Sequence, residues 1–341
     1  MHFLLFSNVN KDPEQKVTNR LEQLILSRGH SVTRVQEGNE APEEGIPGEQ
    51  LASVDVVIVL GGDGTMLRAS HAVGAGAVPM IGLNLGTTGF LTEVECSAME
   101  DMVDRLICGD YVVEDRMQLT GMIYRKGDCA AKTDGTVGAS VDAQCGENNA
   151  DSQNAEPTRD MQYTGKSGDA QRDANITTGK CPDRQPDVCF SALNDVVIIR
   201  EGVLRLIALK IYVNDVFFDT YEADGVIIST PTGSTGYNLS AGGPIVSPKT
   251  RATVLTPISP HSLSKKSIVF DAGDRVRIEL EEKRKTQVNE AIVSFDGYKN
   301  YEISVGDQVE VQASAVPLHL IRLEERSFFE VISRKFDRPA G

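Results

Sequence analysis

The chain reads as an α/β N-terminal domain followed by a mostly β C-terminal domain, and three observations predict that arrangement. Apolar strand sequence alternates with one helical pattern at the N-terminus. The run Val54-Asp55-Val56-Val57-Ile58-Val59-Leu60 is almost wholly apolar, as a strand covered on both faces of a parallel sheet must be. From Tyr111 onward the pattern changes to strand-like segments separated by short turns.

Taken in order, residues 3–6 form a first strand, and Val17, Leu21, Leu24 and Ile25 recur at helical spacing. Asp12-Pro13 supplies a cap and a first-turn residue for that helix, and Gly29 supplies its stop. A further strand is predicted at 78–83. Ser97 and Glu100 make a capping box before Met99, Met102, Val103, Leu106 and Ile107, and Gly109 closes an α/β domain of residues 1–110. Strands are then predicted at 119–124, 196–199, 206–213, 225–229 and 276–280, within a β-rich domain of residues 111–325. The cleft between two such domains is the expected ligand site. Residues 126–188 are rich in Gly, Asp, Asn, Gln, Ser and Thr and cannot build a core; they are expected to be a disordered or loosely ordered insertion between two strands.

Length and composition limit the function. With 341 residues and 40% apolar content, two domains are the expectation. A formal charge of -15 repels a polyanionic backbone, which argues against nucleic acid as a partner. No apolar run approaches the roughly 20 residues needed to cross a bilayer, and Met1-His2-Phe3 leads into strand sequence without a charged leader, so a cytoplasmic protein is expected. Cys96, Cys108, Cys129, Cys145, Cys181 and Cys189 contain no CxxC pair, and read as reduced thiols rather than metal ligands.

Three segments carry chemistry. In Gly61-Gly62-Asp63-Gly64-Thr65, glycines follow an apolar strand and open a helix, so backbone N–H groups and the helix dipole can meet a phosphate, with Asp63 projecting at the carboxyl end of the strand. An ordinary glycine turn with Asp63 as a helix cap is the competing reading. Asn194-Asp195 interrupts an apolar run, either as a local turn or as a pair holding ribose hydroxyls. The stretch 221–248, YEADGVIISTPTGSTGYNLSAGGPIVSP, joins an apolar strand to a loop whose glycines and hydroxyls can wrap phosphate and ribose, while Tyr237 can stack on a base.

Together GGDGTMLRA, NLGTTGFL, ALNDVVI, DGVIISTPTGSTGYNLSAGGPI and TPISPHSLS, in this order, resemble the bacterial type of NAD kinase. GGDGT alone is shared with diacylglycerol and sphingosine kinases and marks only a phosphoryl-transfer superfamily; the later motifs narrow it. The resemblance covers nearly all of 1–126 and from 189 onward, and the family pattern has no counterpart for the insertion. It implies a NAD kinase/diacylglycerol kinase-like fold, with a β-sandwich second domain and a C-terminal segment, residues 326–341, that returns to the first domain.

The same resemblance implies transfer of the terminal phosphoryl group of ATP, or of another donor such as polyphosphate, to the 2′-hydroxyl of the adenosine ribose of NAD. Mg²⁺ or another divalent metal is the implied cofactor, and a homodimer or homotetramer the implied assembly. Asp63 takes the position of the proposed general base. Gly64, Arg68, Phe90, Asn194, Asp195, Arg205, Asp224, Thr235, Gly236, Tyr237 and Ser240 take ligand positions; no residue is assigned to metal. The chain departs from the pattern at Asp195, where Glu is commoner, at Gly236, where Ala is usual, at Thr88, where a larger residue often sits, at Glu222, where a basic residue is frequent, and at Tyr298, which replaces a common Gln. Two other functions compete. A lipid or sugar-phosphate kinase would want a different acceptor pocket from the hydroxyl-rich 221–248 stretch. A catalytically silent dinucleotide sensor would have no use for a carboxylate in its phosphate loop.

Overall fold

The computed structural model describes residues 1–37, 45–74, 76, 78–86, 89–127, 184–202, 206–282, 290–324 and 328–336. Arg205, Thr88 and nearly all of the predicted insertion, including Cys129, Cys145 and Cys181, lie outside the described residues. Met1–Lys126 and Pro186–Gly341 form one compact unit.

In chain order its first part comprises β1 (His2–Asn8), α1 (Lys16–Ser27), β2 (Ser31–Glu37), α2 (Gly48–Leu51), β3 (Val56–Gly61), α3 (Asp63–Val73), β4 (Met80–Asn84), β5 (Val94–Glu95), α4 (Met99–Cys108) and β6 (Val112–Arg116). The second part contributes β7 (Leu119–Tyr124), β8 (Val188–Ala192), β9 (Asp195–Arg200), β10 (Ile207–Val213), β11 (Val216–Ala223), β12 (Gly225–Ser229), α5 (Tyr237–Ser240), β13 (Ala252–Ile258), β14 (Ile268–Asp271), β15 (Val276–Glu281), β16 (Glu290–Phe295), β17 (Lys299–Ser304) and β18 (Gln308–Ala313). β19 (Leu318–Arg322) and α6 (Phe328–Phe336) follow.

The first sheet runs β2-β1-β3-β4-β19-β6, with β5 beside β4; every pairing is parallel except β19 with β6. Because side chains alternate across a strand, Phe3 and Leu5 face α1 and α4, whereas Leu4 and Phe6 face α3. Both faces are therefore covered, and Val56, Val57, Ile58, Val59 and Leu60 are all fully buried, as the apolar run predicts. Two antiparallel sheets, β11-β10-β15-β18-β7-β8 and β14-β13-β12-β9-β16-β17, form the second part. Leu209, Ile278 and Val309 of one meet Ile198, Ile228 and Val293 of the other in a single core, which makes a β-sandwich.

Several local expectations are corrected. The capping box at Ser97 and Glu100 does not form: Cys96–Ala98 is a 3₁₀ turn, α4 begins after Ala98, and no side chain caps it. Ser97 is thereby inside a turn rather than at the capping position. Pro13 is not in the first turn of α1, which starts only at Lys16 after Gln15 in a left-handed conformation. Asp12 nonetheless reaches forward, and its carboxylate accepts the Val17 and Thr18 N–H groups and the Thr18 hydroxyl. The first sheet also extends beyond residue 110 through β6, and the chain re-enters it at β19, before residue 326.

Candidate active site

The GGDGT segment turns from β3 into α3 at the carboxyl edge of the parallel sheet, where open α/β sheets bind ligands. Close packing explains its glycines. A Cβ on Gly61 would stand 2.3 Å from Thr65 Oγ1, and Thr65 is itself held by Asn8 Nδ2 at 3.1 Å. Asp63, the first residue of α3, turns its carboxylate to the following loop: it accepts the N–H groups of Phe90 at 2.7 Å, Leu91 at 3.0 Å and Thr92 at 3.3 Å. A side chain on Gly89 would collide with it, the added Cβ falling 1.7 Å from Asp63 Oδ1. Asp63 is thus more than a projecting carboxylate; it clamps the NLGTTGFL loop onto the GGDGT turn. The Arg68 guanidinium lies over Gly64, 3.6 Å from the point a Cβ would occupy. Lys11 reaches the same edge from the turn after β1, and its ammonium would be 2.6 Å from a Cβ on Gly62 and 4.0 Å from one on Gly86.

On the sandwich side, Ala192-Leu193-Asn194-Asp195 sits where two cores meet. Ala192 packs in the sandwich core and Leu193 in the core of the first sheet, so Asn194 and Asp195 are carried to the seam. The loop after β12 grips this turn: the Asn194 carbonyl accepts the Thr230 N–H at 2.8 Å, and the Leu193 carbonyl accepts the Thr230 hydroxyl at 2.6 Å. Gly233 packs flat against Asn194, where a Cβ would lie 2.1 Å from its carbonyl oxygen. Buried Asn238 staples the loop by donating to Ser234 and Pro244 and accepting from Thr256.

From the opposite side comes Asp296. Asp296 and Gly297 both have positive φ, 51° and 67°, and Tyr298 N–H donates to Phe295 O, so β16 and β17 join through a tight turn of the Asp-Gly type. That turn aims the Asp296 carboxylate at the N–H groups of Leu193 (2.7 Å), Asn194 (2.7 Å) and Asp195 (2.9 Å), and it also meets His71 Nε2 of α3 at 2.9 Å. A carboxylate can only accept, so Nε2 of His71 carries a hydrogen and donates.

A cavity of about 470 Å³ opens here, lined by Asn194, Asp195, Val197, Ile199, Tyr237, Ile292, Ser294, Asp296, Gly297 and Asn300. Of the residues selected from the sequence, the structure brings Asn194, Asp195 and Tyr237 together in it. Gly236 is adjacent, with a Cβ point 3.6 Å from Asn194 Nδ2. Thr235 turns its hydroxyl to Thr232 O, and Ser240 is exposed on α5. Asp224 lies at the far end of the β9–β12 pair, where Gly225 faces Ile199 while Ser229 faces Asp195, and it pairs with Arg200 at 2.6 Å. Asp63, Gly64, Arg68 and Phe90 belong to the GGDGT edge rather than to this cavity lining. His71 and Asp296 were not among the selected residues. The Asp-Gly dipeptide after an apolar strand was the available signal for the turn, but nothing local identifies its partners.

Asp195 is 6% exposed, and among the described residues its carboxylate has no hydrogen-bond partner. Burial, reinforced by the neighbouring Asp296 carboxylate, pushes its pKa up to about 7. The folded chain therefore keeps a proton that an unfolded aspartate, at 3.8, releases. Stability must fall as pH rises between those values, and the penalty persists above the upper one. Asp195→Asn removes the titration. It is expected to raise stability by ~2–4 kcal/mol at pH 8 and by little at pH 4. Thermal unfolding across pH checks this; a stability difference that does not change with pH would contradict it.

A parallel sheet with glycine turns at its carboxyl edge, set against a β-sandwich whose largely apolar cavity carries a few polar groups, defines a two-domain nucleotide-binding protein. Residues 2–111 match the ATP-NAD kinase N-terminal domain, and residues 193–323 match the ATP-NAD kinase C-terminal domain. The chain is 34% identical over 338 residues to the NAD kinase of Lachnoclostridium phytofermentans and 32% identical over 340 residues to that of Agathobacter rectalis, with 98% of each chain covered in both cases. The two domain families leave residues 112–192, which include the polar segment, unmatched. The fold is similar to yeast NADH kinase complexed with NADH, with a TM-score of 0.73 at 20% identity, covering 100% of this chain and 89% of that one. It is also similar to an NAD kinase from Archaeoglobus fulgidus in complex with ATP, with a TM-score of 0.65 at 21% identity and 98% of both chains covered. The chain belongs to the NAD kinase family.

Proposed function

We infer that the protein is a cytoplasmic NAD kinase that transfers the terminal phosphoryl group of ATP to the 2′-hydroxyl of the adenosine ribose of NAD, giving NADP. The observation that carries this reading is the meeting of Asn194-Asp195, the 230–237 loop and the Asp296 turn at one cavity, tied through His71 to the helix that begins at GGDGT. Family relatives named NAD kinase support the acceptor, and structural neighbours bound to NADH and to ATP support the pairing of substrates. In this reading Asn194, Asp195, Gly236 and Tyr237 hold the dinucleotide, Tyr237 by stacking, and Asp63 receives the 2′-hydroxyl proton. Gly64, Arg68 and Phe90 complete that edge; Asp224, Thr235 and Ser240 serve the dinucleotide from further out, and Arg205 takes the ligand position that the family resemblance gives it. The family resemblance supports a homodimer or homotetramer.

Phosphoryl transfer depends mainly on alignment and on neutralising charge at the phosphate oxygens. Among the described residues, no group of three or more His, Cys, Asp or Glu side chains is placed to hold a metal ion. Mg²⁺ or another divalent metal is the cofactor in this reading, carried with ATP and bound chiefly by its phosphate oxygens, as is usual for this hard, strongly hydrated cation. Lys11 supplies a protein cation at the glycine turns. Lys11→Ala is expected to raise KM for ATP by about tenfold while leaving KM for NAD within about twofold; equal KM values for ATP in variant and parent would remove Lys11 from the donor site. The activity itself is tested by incubating the protein with NAD, ATP and Mg²⁺ and assaying NADP with an NADP-specific dehydrogenase. No NADP with any phosphoryl donor would overturn the assignment.

A further inference from the structure

We propose that His71 is a positioning residue for the acceptor: through Asp296 it fixes the Asn194-Asp195 turn against the helix that begins at Asp63. The proposal rests on the kinase reading above for its substrates. Its geometry stands on the structure.

His71 and Asp63 occupy the same helix, eight residues apart, or about 12 Å along the axis. One end of α3 therefore carries the turn that faces the transferred phosphate, and the other end touches the clamp on the acceptor turn. The contact is buried, with side-chain exposures of 3% for His71 and 0% for Asp296. The imidazole is held between Phe190 (5.2 Å, 26°) and Tyr298 (5.1 Å, 11°), both from the sandwich part, so it is a plug from the first sheet's layer set into the second. Asp296 takes four donors at once: His71 Nε2 and three successive peptide N–H groups. Its own N–H donates to the Asp195 carbonyl at 3.0 Å, closing a reciprocal pair. Removal of the His71 donor frees Asp296 to swing on its tight turn, and the first groups to move are the peptides that present Asn194 and Asp195 to the cavity. A loss of alignment there weakens the dinucleotide site without touching the ATP site.

Two complementary variants test this. His71→Phe keeps a stacked ring but loses the donor, whereas His71→Gln keeps an N–H donor but loses the ring. The expected result is a rise in KM for NAD of about 10–100-fold in His71→Phe with KM for ATP within about twofold, and substantial recovery of KM for NAD in His71→Gln. Equal impairment of both variants, a parallel rise in both KM values, or an unchanged KM for NAD in His71→Phe would overturn the proposal. Phe190→Leu disturbs the stack and leaves the His71–Asp296 bond, so its KM for NAD is expected within about threefold of the parent. A larger rise would also overturn it, even if His71→Phe failed to fold. NAD binding by calorimetry follows the same comparisons without turnover, so an absence of kinase activity in the parent protein would refute the functional reading and still leave the positioning role measurable.

Discussion

Asp63→Asn is expected to lower NADP formation by about 10²–10⁴-fold, the range associated with loss of a general base. The family resemblance supports that number through proton transfer. The structure adds a second contribution, because the two carboxylate oxygens accept three N–H groups from the 90–92 loop. An asparagine keeps one acceptor oxygen and sets an NH₂ group against a peptide N–H, so part of the clamp is lost as well. Hydrogen bonds to a charged group contribute roughly 1.5–3 kcal/mol each, enough for the loop to loosen measurably. The two contributions separate experimentally. Loss of the base lowers kcat with the dissociation constant for NAD largely retained, whereas loss of the clamp alone lowers stability and weakens binding of whatever the loop touches. A folded Asp63→Asn protein with near-normal kcat would exclude the base.

Asp296→Ala should have the larger effect on the protein as a whole. Four donors lose their acceptor, three of them peptide N–H groups at a seam between two cores. Each buried donor left unsatisfied costs roughly 1–3 kcal/mol, and water entering from the adjacent cavity can recover part of this. A net destabilisation of about 3 kcal/mol is expected, which lowers Tm by several degrees for a chain of this size. NAD affinity is expected to fall by about a hundredfold or more, because the Asn194-Asp195 turn loses its alignment. Asp296→Asn, which retains one acceptor oxygen, should fall between alanine and the parent on both measures. Thermal unfolding together with NAD titration checks the pair. If Asp296→Ala keeps the parental Tm and NAD affinity, the clamp is not what orders the turn.

These two carboxylates also mark the division between sequence and tertiary structure. The α/β first layer and β-rich second part follow from periodicity, and the strand-turn-helix at GGDGT follows from an apolar run, two glycines and a helical pattern in immediate succession. All of that information lies within a few residues of where it acts. The polar interruption at Asn194-Asp195 was legible for the same reason, and its place at a core boundary, with Ala192 on one side and Leu193 on the other, gives that interruption its cause. Tertiary structure decided the rest. Asp63 meets residues 27 to 29 positions away, and Asp296 meets residues 101 to 103 positions away on one side and 225 on the other. No local propensity encodes such partners, since they are set by which strands neighbour one another and by the tight turn that reverses β16 into β17. The return of β19 into the first sheet is of the same kind: no strand is predicted there from the sequence, and its place between β4 and β6 is set by which edges it meets once the layers have formed. The sequence by itself determined which residue types stand ready for phosphate and ribose, because those requirements are local backbone freedom and side-chain chemistry. The three-dimensional fold determined which carboxylates are clamps and which face the cavity, because burial and hydrogen-bond partners exist only after the layers have packed.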